Sequence, residues 1–253
     1  MTEEAAPEPP KVVVSKNGPY LFTGPVEVAY AIIANDDAGD SWTWKKGESV
    51  PVTKKFAFCR CGHSSNKPFC DGSHRKFGVQ ETDTASTASY EEQAVLTDGP
   101  SMQLGDAEAL CAFARFCDGH GQVWNLVTQT SDHQNRELTA HEASHCPGGR
   151  LVAYDKESLG AALEPELEPS VGIIEDPSRG VSGGLWLRGG IKVTTADGVE
   201  YPVRNRQVLC RCGNSSNKPF CDGSHASVKF ADEMLDQVTA AADGTDLVPT
   251  PEV

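Results

Sequence analysis

CRCGHSSNKPFCDGSH occupies residues 59–74, and CRCGNSSNKPFCDGSH occupies residues 210–225. The two runs are identical at fifteen of sixteen positions and lie 151 residues apart, with His63 replaced by Asn214. Each holds three cysteines and a histidine at one spacing: Cys59, Cys61, Cys70 and His74, then Cys210, Cys212, Cys221 and His225. Two thiolates one residue apart on a tight Arg/Gly loop can bind a metal from one side. Cys70 and His74 are four apart, so a helical turn would project both from one face. Asp71 is placed to open that turn and cap its N–H groups. Two chemistries fit such a set: tetrahedral zinc, or a two-iron, two-sulfide cluster with two protein ligands per iron.

Working outward, each motif follows a strand-like segment. The first copy reads YLFTG from Tyr20, then alternates at Val26, Val28, Tyr30 and Ile32. A polar stretch, NDDAGDSWTWKKGES, leads to a strand expected over Val50–Phe58. The second copy reads LWLRGG from Leu185, IKVTT from Ile191, an ADG turn, and a strand expected near Val199–Leu209. Gly24 precedes Cys59 by 35 residues and Gly189 precedes Cys210 by 21, so the first copy carries about fourteen extra residues, a longer hairpin or loop. This order implies a duplicated unit.

The motif C-x-C-x2-S-x3-P-x-C-D-G-S-H resembles the signature of the CDGSH iron–sulfur family, with Ser64 and Ser215 at the small hydroxyl position and Pro68 and Pro219 at the proline. The resemblance implies a [2Fe–2S] cluster on Cys59, Cys61, Cys70 and His74 and another on Cys210, Cys212, Cys221 and His225. It also implies a strand-rich cap assembled about a two-fold axis. With two motifs in one chain, the expectation is a monomer with an internal pseudo-dimer. Three thiolates on a 2+ core leave the site at −1, one charge less negative than a four-cysteine site. Its potential should therefore exceed the about −400 mV of plant-type ferredoxins. A ligating imidazole links cluster retention to pH.

Between the repeats, Cys111, Cys117 and Cys146 form C-x5-C-x28-C-P-G-G. Ala114 stands where a bacterial-type ferredoxin run has its middle cysteine, and Cys146-Pro147 supplies the remote one. The segment also resembles divergent monocluster ferredoxin-like domains, which implies a third cluster, [3Fe–4S] or [4Fe–4S]. Three reduced core cysteines are the alternative. His120 or His145 could add a fourth ligand, though no spacing rule selects either. DAEALCAFARFC is expected to be helical, with Leu110, Phe113 and Cys117 on one stripe. RELTAHEASH should form a second helix ended by CPGG.

HEASH, from His141 to His145, matches the zinc motif H-E-x-x-H, but it runs straight into Cys146 and reads better as a solvated helix face. CDGHG at Cys117 has Asp106 and Glu108 where paired cysteines would stand, so it is no third copy. His63 and Asn214 read as solvent-facing loop residues, Lys67 and Lys218 as surface charges, and Trp42, Trp44, Trp124 and Trp186 as packing residues. EPELEPSVGIIEDPSRG from Glu164 reads as a surface connection.

The fold expected is strand-rich α+β: a tail over 1–11, a first CDGSH-type unit over 12–87, a small ferredoxin-like α/β middle module with its linker over 88–180, a second unit over 181–235 and a tail over 236–253. In 253 residues, hydrophobic side chains make up 38% and Gly plus Pro fill 40 positions, which suits short strands and loops. A formal charge of −14 argues against nucleic acid and anionic membranes and favours a partner with a basic patch. The acidic start shows no secretory pattern, and runs such as VAYAIIA from Val28 are too short to span a bilayer. Six of the nine cysteines sit at tight C-x-C or C-x3-H spacings, which suit metal in a reducing, cytoplasmic compartment. With no nucleophile–base set, the expected role is electron transfer, or else cluster delivery to an apo-acceptor or redox/pH sensing through labile His-ligated clusters, rather than catalysis.

Overall fold

The computed structural model describes residues 8–232, Leu235 and 246–253; of the expected tails over 1–11 and 236–253, residues 1–7 and 236–245 lie outside the described residues. Among the described residues there are three sheets. Strands β1 (Lys11–Val14), β2 (Tyr20–Thr23), β3 (Glu27–Asn35), β4 (Ser41–Ser49) and β5 (Lys55–Phe58) precede the first motif, which ends in the single-turn helix α1 (Ser73–Lys76). The middle segment holds α2 (Tyr90–Gln93), β6 (Val95–Asp98), β7 (Met102–Asp106), α3 (Val123–Val127), α4 (His133–Ser144), β8 (Leu151–Asp155) and β9 (Ala161–Ala162). The second copy comprises β10 (Ser170–Asp176), β11 (Val181–Arg188), β12 (Lys192–Thr195), β13 (Arg206–Leu209) and α5 (Ser224–Ser227).

The two copies exchange strands. One sheet runs β12-β1-β2-β5 and the other β13-β11-β10-β3-β4. Strand β12 of the second copy pairs in parallel with β1 of the first, and β3 of the first pairs in parallel with β10 of the second. Every other pairing in these two sheets is antiparallel. One core joins the two sheets: Val12, Tyr20, Phe22 and Phe58 from one meet Val28, Ile173, Leu185 and Leu209 from the other. The longer hairpin expected in the first copy is β3–β4. Its polar second strand carries the Trp44 indole, fully buried against Trp186 and Phe116.

The structure corrects the reading of Glu164 onward as a surface connection. Ser170–Asp176 is β10, buried at every residue. Its outer neighbours are covered on one face by the core above. On the other, Ala31, Ile174, Trp186 and Val208 pack against Ala112, Ala114 and Phe116 of the middle segment. A strand covered on both faces loses polar alternation, which is why SVGIIED did not read as a strand.

A third sheet, β6-β7-β8-β9, packs α3 and α4 through Met102, Leu104, Val127, Ala140 and Leu151. The helix expected over DAEALCAFARFC is also corrected. Only a 3-10 turn, Glu108–Leu110, forms, and the chain then runs irregularly with left-handed Phe113 (φ 56°) and Arg115 (φ 65°). Those reversals put Ala112, Ala114 and Phe116 on the five-stranded sheet and leave Phe113 outside. Helix α4 forms as expected, but its HEASH end is not solvated: His141, Glu142 and His145 are all buried. His141 stacks on Trp42 and His145, and its nitrogens face Thr250 Oγ1 and the Trp42 carbonyl.

The last residues dock too. Asp246 accepts from Trp44 N–H and faces His145 Nε2 at 3.0 Å, and Val248 is buried. Burial and neighbouring His145 push the His141 imidazole down to about 4. It is neutral when folded and binds a proton below pH ~6.5 when unfolded. The stability it contributes is therefore present above that value and lost as pH falls toward 4. Urea unfolding at pH 7 and pH 5 should show a lower midpoint at pH 5, and His141→Gln should reduce that pH dependence. Among the described residues, no helix is long and apolar enough to cross a membrane.

Candidate metal centres

Both repeated loops are held by the same hydrogen bonds. Cys59 N–H donates to the Pro68 carbonyl and Cys70 N–H to Ala57, folding the motif back onto β5. Cys210 with Pro219 and Cys221 with Val208 repeat this on β13. Ser64 Oγ donates to the Phe69 carbonyl and accepts from Asn66 N–H; Ser215 does the same with Phe220 and Asn217. The small hydroxyl position is therefore a loop clamp.

The ligand candidates converge as two pairs in each copy. Cys59 Sγ lies 3.9 Å from Cys61 Sγ, and Cys70 Sγ lies 3.5 Å from His74 Nδ1. In the second copy the distances are 3.6 Å for Cys210–Cys212 and 3.4 Å for Cys221–His225. No cysteine is in a disulfide. The helical turn starts later than expected, at Ser73 and Ser224 after left-handed Gly72 and Gly223, so Cys70 and Cys221 sit just ahead of it. Asp71 still fixes this junction: one oxygen accepts from Ser73 N–H and the other from Ser65. Those backbone bonds hold its carboxyl well below the usual carboxylate range.

In each C-x-C pair the two thiols share a hydrogen bond, and backbone N–H groups add to it at the first cysteine. This holds Cys59 down to about 6 and Cys210 to about 7, and keeps Cys61 and Cys212 above the ordinary thiol value. Burial first, then Arg211, pushes His225 down to about 4, so its ring is neutral at pH 7. Three thiols and an imidazole in two pairs suit two irons with two ligands each. Amide N–H groups already point at sulfur, Asn214 toward Cys212 Sγ and Gly223 toward Cys221 Sγ, both at 3.5 Å.

The two loops touch. Cys61 and Cys212 form an antiparallel bridge. A Cβ at Gly62 would lie 2.5 Å from the Cys212 carbonyl oxygen, and one at Gly213 would lie 2.4 Å from that of Cys61. Both glycines have φ of 78°, which favours glycine for backbone reasons as well. Gly62→Ala should therefore cost about 2–4 kcal/mol, summing left-handed strain and backbone overlap. Gly213→Ala should match it, measured as urea unfolding of each variant.

Two residues of the site were not singled out from sequence. Arg60 and Arg211, each between two cysteines, are buried. Arg60 pairs with Glu81 and Asp83, and Arg211 with Glu175 and Asp232. Glu81 and Asp232 are again 151 positions apart, so extending the repeat past the histidine would have found them. Lys67 and Lys218 are not free surface charges. Each ammonium donates into its own loop, to the Ser64 and Ser215 carbonyls. Each also reaches the other copy: Lys67 lies over Phe230, and Lys218 is 4.0 Å from Glu81. His63 and Asn214 are exposed, as expected.

Cys111, Cys117 and Cys146 border one pocket with Ala114, Pro147 and Arg150. Burial first, then Cys146, Asp118 and Cys111, raises the Cys117 thiol. Among the described residues no oxygen accepts from the backbone N–H groups of Ala112 to Cys117. The three thiols at this pocket are the groups that could hold a cluster there. Neither histidine considered as a fourth ligand turns to the pocket. His120 faces Asp36 at 2.6 Å, and His145 faces Asp246 and the His141 carbonyl.

Comparisons agree with this geometry. Residues 17–75 and 182–226 match the family described as iron-binding zinc finger, CDGSH type. Residues 97–156 match the divergent 4Fe–4S mono-cluster family. Neither curated proteins nor solved structures gave a significant match. Two segments similar to the CDGSH-type iron-binding family thus flank one similar to the divergent 4Fe–4S mono-cluster family.

Proposed function

We propose that this chain is a multi-cluster electron-transfer protein, not a catalyst, with a [2Fe–2S] cluster on each Cys3His set and a third, [3Fe–4S] or [4Fe–4S], on Cys111, Cys117 and Cys146. Such clusters supply one-electron chemistry when bound. The observation that carries this reading is adjacency. Cys61 and Cys212 share a backbone bridge, and a Cβ at Gly223, beside Cys221, would lie 3.0 Å from Phe113 Cβ and 3.8 Å from the Cys111 carbonyl oxygen. The second copy thus neighbours both the first copy and the middle segment, as a relay needs.

In this reading the two copies form an internal pseudo-dimer, supported by the reciprocal strand exchange and the paired Gly62 and Gly213 contacts. The middle segment is a ferredoxin-like insert, a cytoplasmic setting suits the reduced thiols, and the partner is a redox protein. Cluster delivery to an apo-acceptor is the second reading, favoured by the half-exposed Cys70 and His74 of the first site.

Iron, acid-labile sulfide and zinc per chain, with EPR before and after dithionite, test the proposal. About seven or eight irons with about eight sulfides are expected. Stoichiometric zinc without sulfide would refute it.

A further inference from the structure

The two repeated sites are alike in sequence and unlike in surroundings. In the second copy Cys221 is 2% exposed and His225 4%. The middle segment covers it: Phe113 rests on Gly223, Asn217 Nδ2 donates to the Ala109 carbonyl, and Arg115 binds Asp176 nearby. In the first copy Cys70 and His74 are half-exposed, and a Cβ at Gly72, equivalent to Gly223, would meet open space.

The residues after the histidine diverge at the same point. The second copy continues Ala226, Ser227 and Val228; the first continues Arg75, Lys76 and Phe77. All three of the latter are exposed, Phe77 by 57%, with His63 stacked on its ring at 4.5 Å. The carboxylate of this turn, Asp71, is engaged by Ser65 and Ser73. On a chain of net charge −14, the open site is thus rimmed by two cations around an aromatic ring.

The geometry points to the first site as the external port of the chain, docking a one-electron partner protein whose contact face is acidic around an apolar centre. This rests on the electron-transfer reading above and reverses locally the partner chemistry suggested by net charge. Arg75 and Lys76 steer the partner, Phe77 supplies the apolar contact, and the second site stays internal.

Ferricyanide, an anion, and hexaamminecobalt(III), a cation, serve as one-electron oxidants of the dithionite-reduced protein, each taking one electron per molecule. His225→Cys changes the ligand set and so tags the second site's absorption. Ferricyanide should oxidise the reduced protein at a rate that falls with salt, the second site's electron leaving through the first. Arg75→Glu with Lys76→Glu should slow that step on the order of tenfold at low salt and speed the cobalt reaction. Both residues are exposed, so the fold should be retained, and iron and sulfide measured beforehand should equal the parent's. Rates unmoved by charge reversal in fully loaded protein would overturn the port alone. Absence of iron and sulfide from the parent would overturn the reading beneath it as well.

Discussion

Arg211→Ala is expected to cost about 3–5 kcal/mol of folding stability, the range for removing one partner of a buried ion pair. The guanidinium donates to the Gly183 and Ile174 carbonyls, to Glu175 Oε1 at 2.5 Å and to Asp232. Truncation leaves two carboxylates, both buried, without their cation. It also frees the backbone between Cys210 and Cys212, so iron bound by the second site should fall with stability. Arg60→Ala should cost less, because Asp83 is 24% exposed and open to water, and buried Glu81 keeps Lys218 at 4.0 Å. Arg211→Lys should not rescue, since one ammonium cannot serve four acceptors in separate directions.

The sign with pH is also fixed. Burial above all raises Glu175 to about 7, so between its unfolded value and that pH the folded state holds the extra proton. Without Arg211 the proton is held more tightly, and the deficit of the variant should shrink as pH falls from 7 toward 5. Urea unfolding of the iron-loaded proteins at both values measures this. Equal small losses for Arg60→Ala and Arg211→Ala would show that burial does not set the difference.

The same pair shows what the sequence could and could not reveal. Both Cys3His sets and their family resemblance were legible because ligand chemistry constrains residue type and spacing together. The Arg60–Glu81 and Arg211–Asp232 pairs were legible in principle, because they obey the same repeat. Arg115–Asp176 was not, because it joins the middle segment to a strand that looked like a linker. Strand β10 was hidden for a physical reason: periodicity reports one wet face, and this strand has none. HEASH misled similarly. Its histidines and carboxylate read as solvated, yet they pack under Trp42 and the C-terminal residues, contacts about a hundred positions away. The exchange of β3 and β12 likewise depends on partners far along the chain. A motif search sees two similar units but not that each completes the other's sheet.

Ala114→Cys is expected to convert the middle site. A bacterial-type ferredoxin loop offers three cysteines at two-residue gaps plus one remote, whereas this loop has Ala114 in the central place. Ala114 borders the pocket formed by Cys111, Cys117 and Cys146, between the left-handed Phe113 and Arg115. No histidine compensates, since His120 and His145 are held by Asp36 and Asp246. Three thiols favour a three-iron cluster; a fourth at this position should raise iron from about seven to about eight per chain. The EPR signal of an oxidised three-iron centre should disappear, and a new one should appear only after reduction. If the pocket were an ordinary core, the added sulfur would only overpack a site that is 5% exposed, costing about 1–3 kcal/mol with iron unchanged near four. Iron content and unfolding midpoint, measured on one preparation, therefore move in ways that separate a ligand from a packing residue.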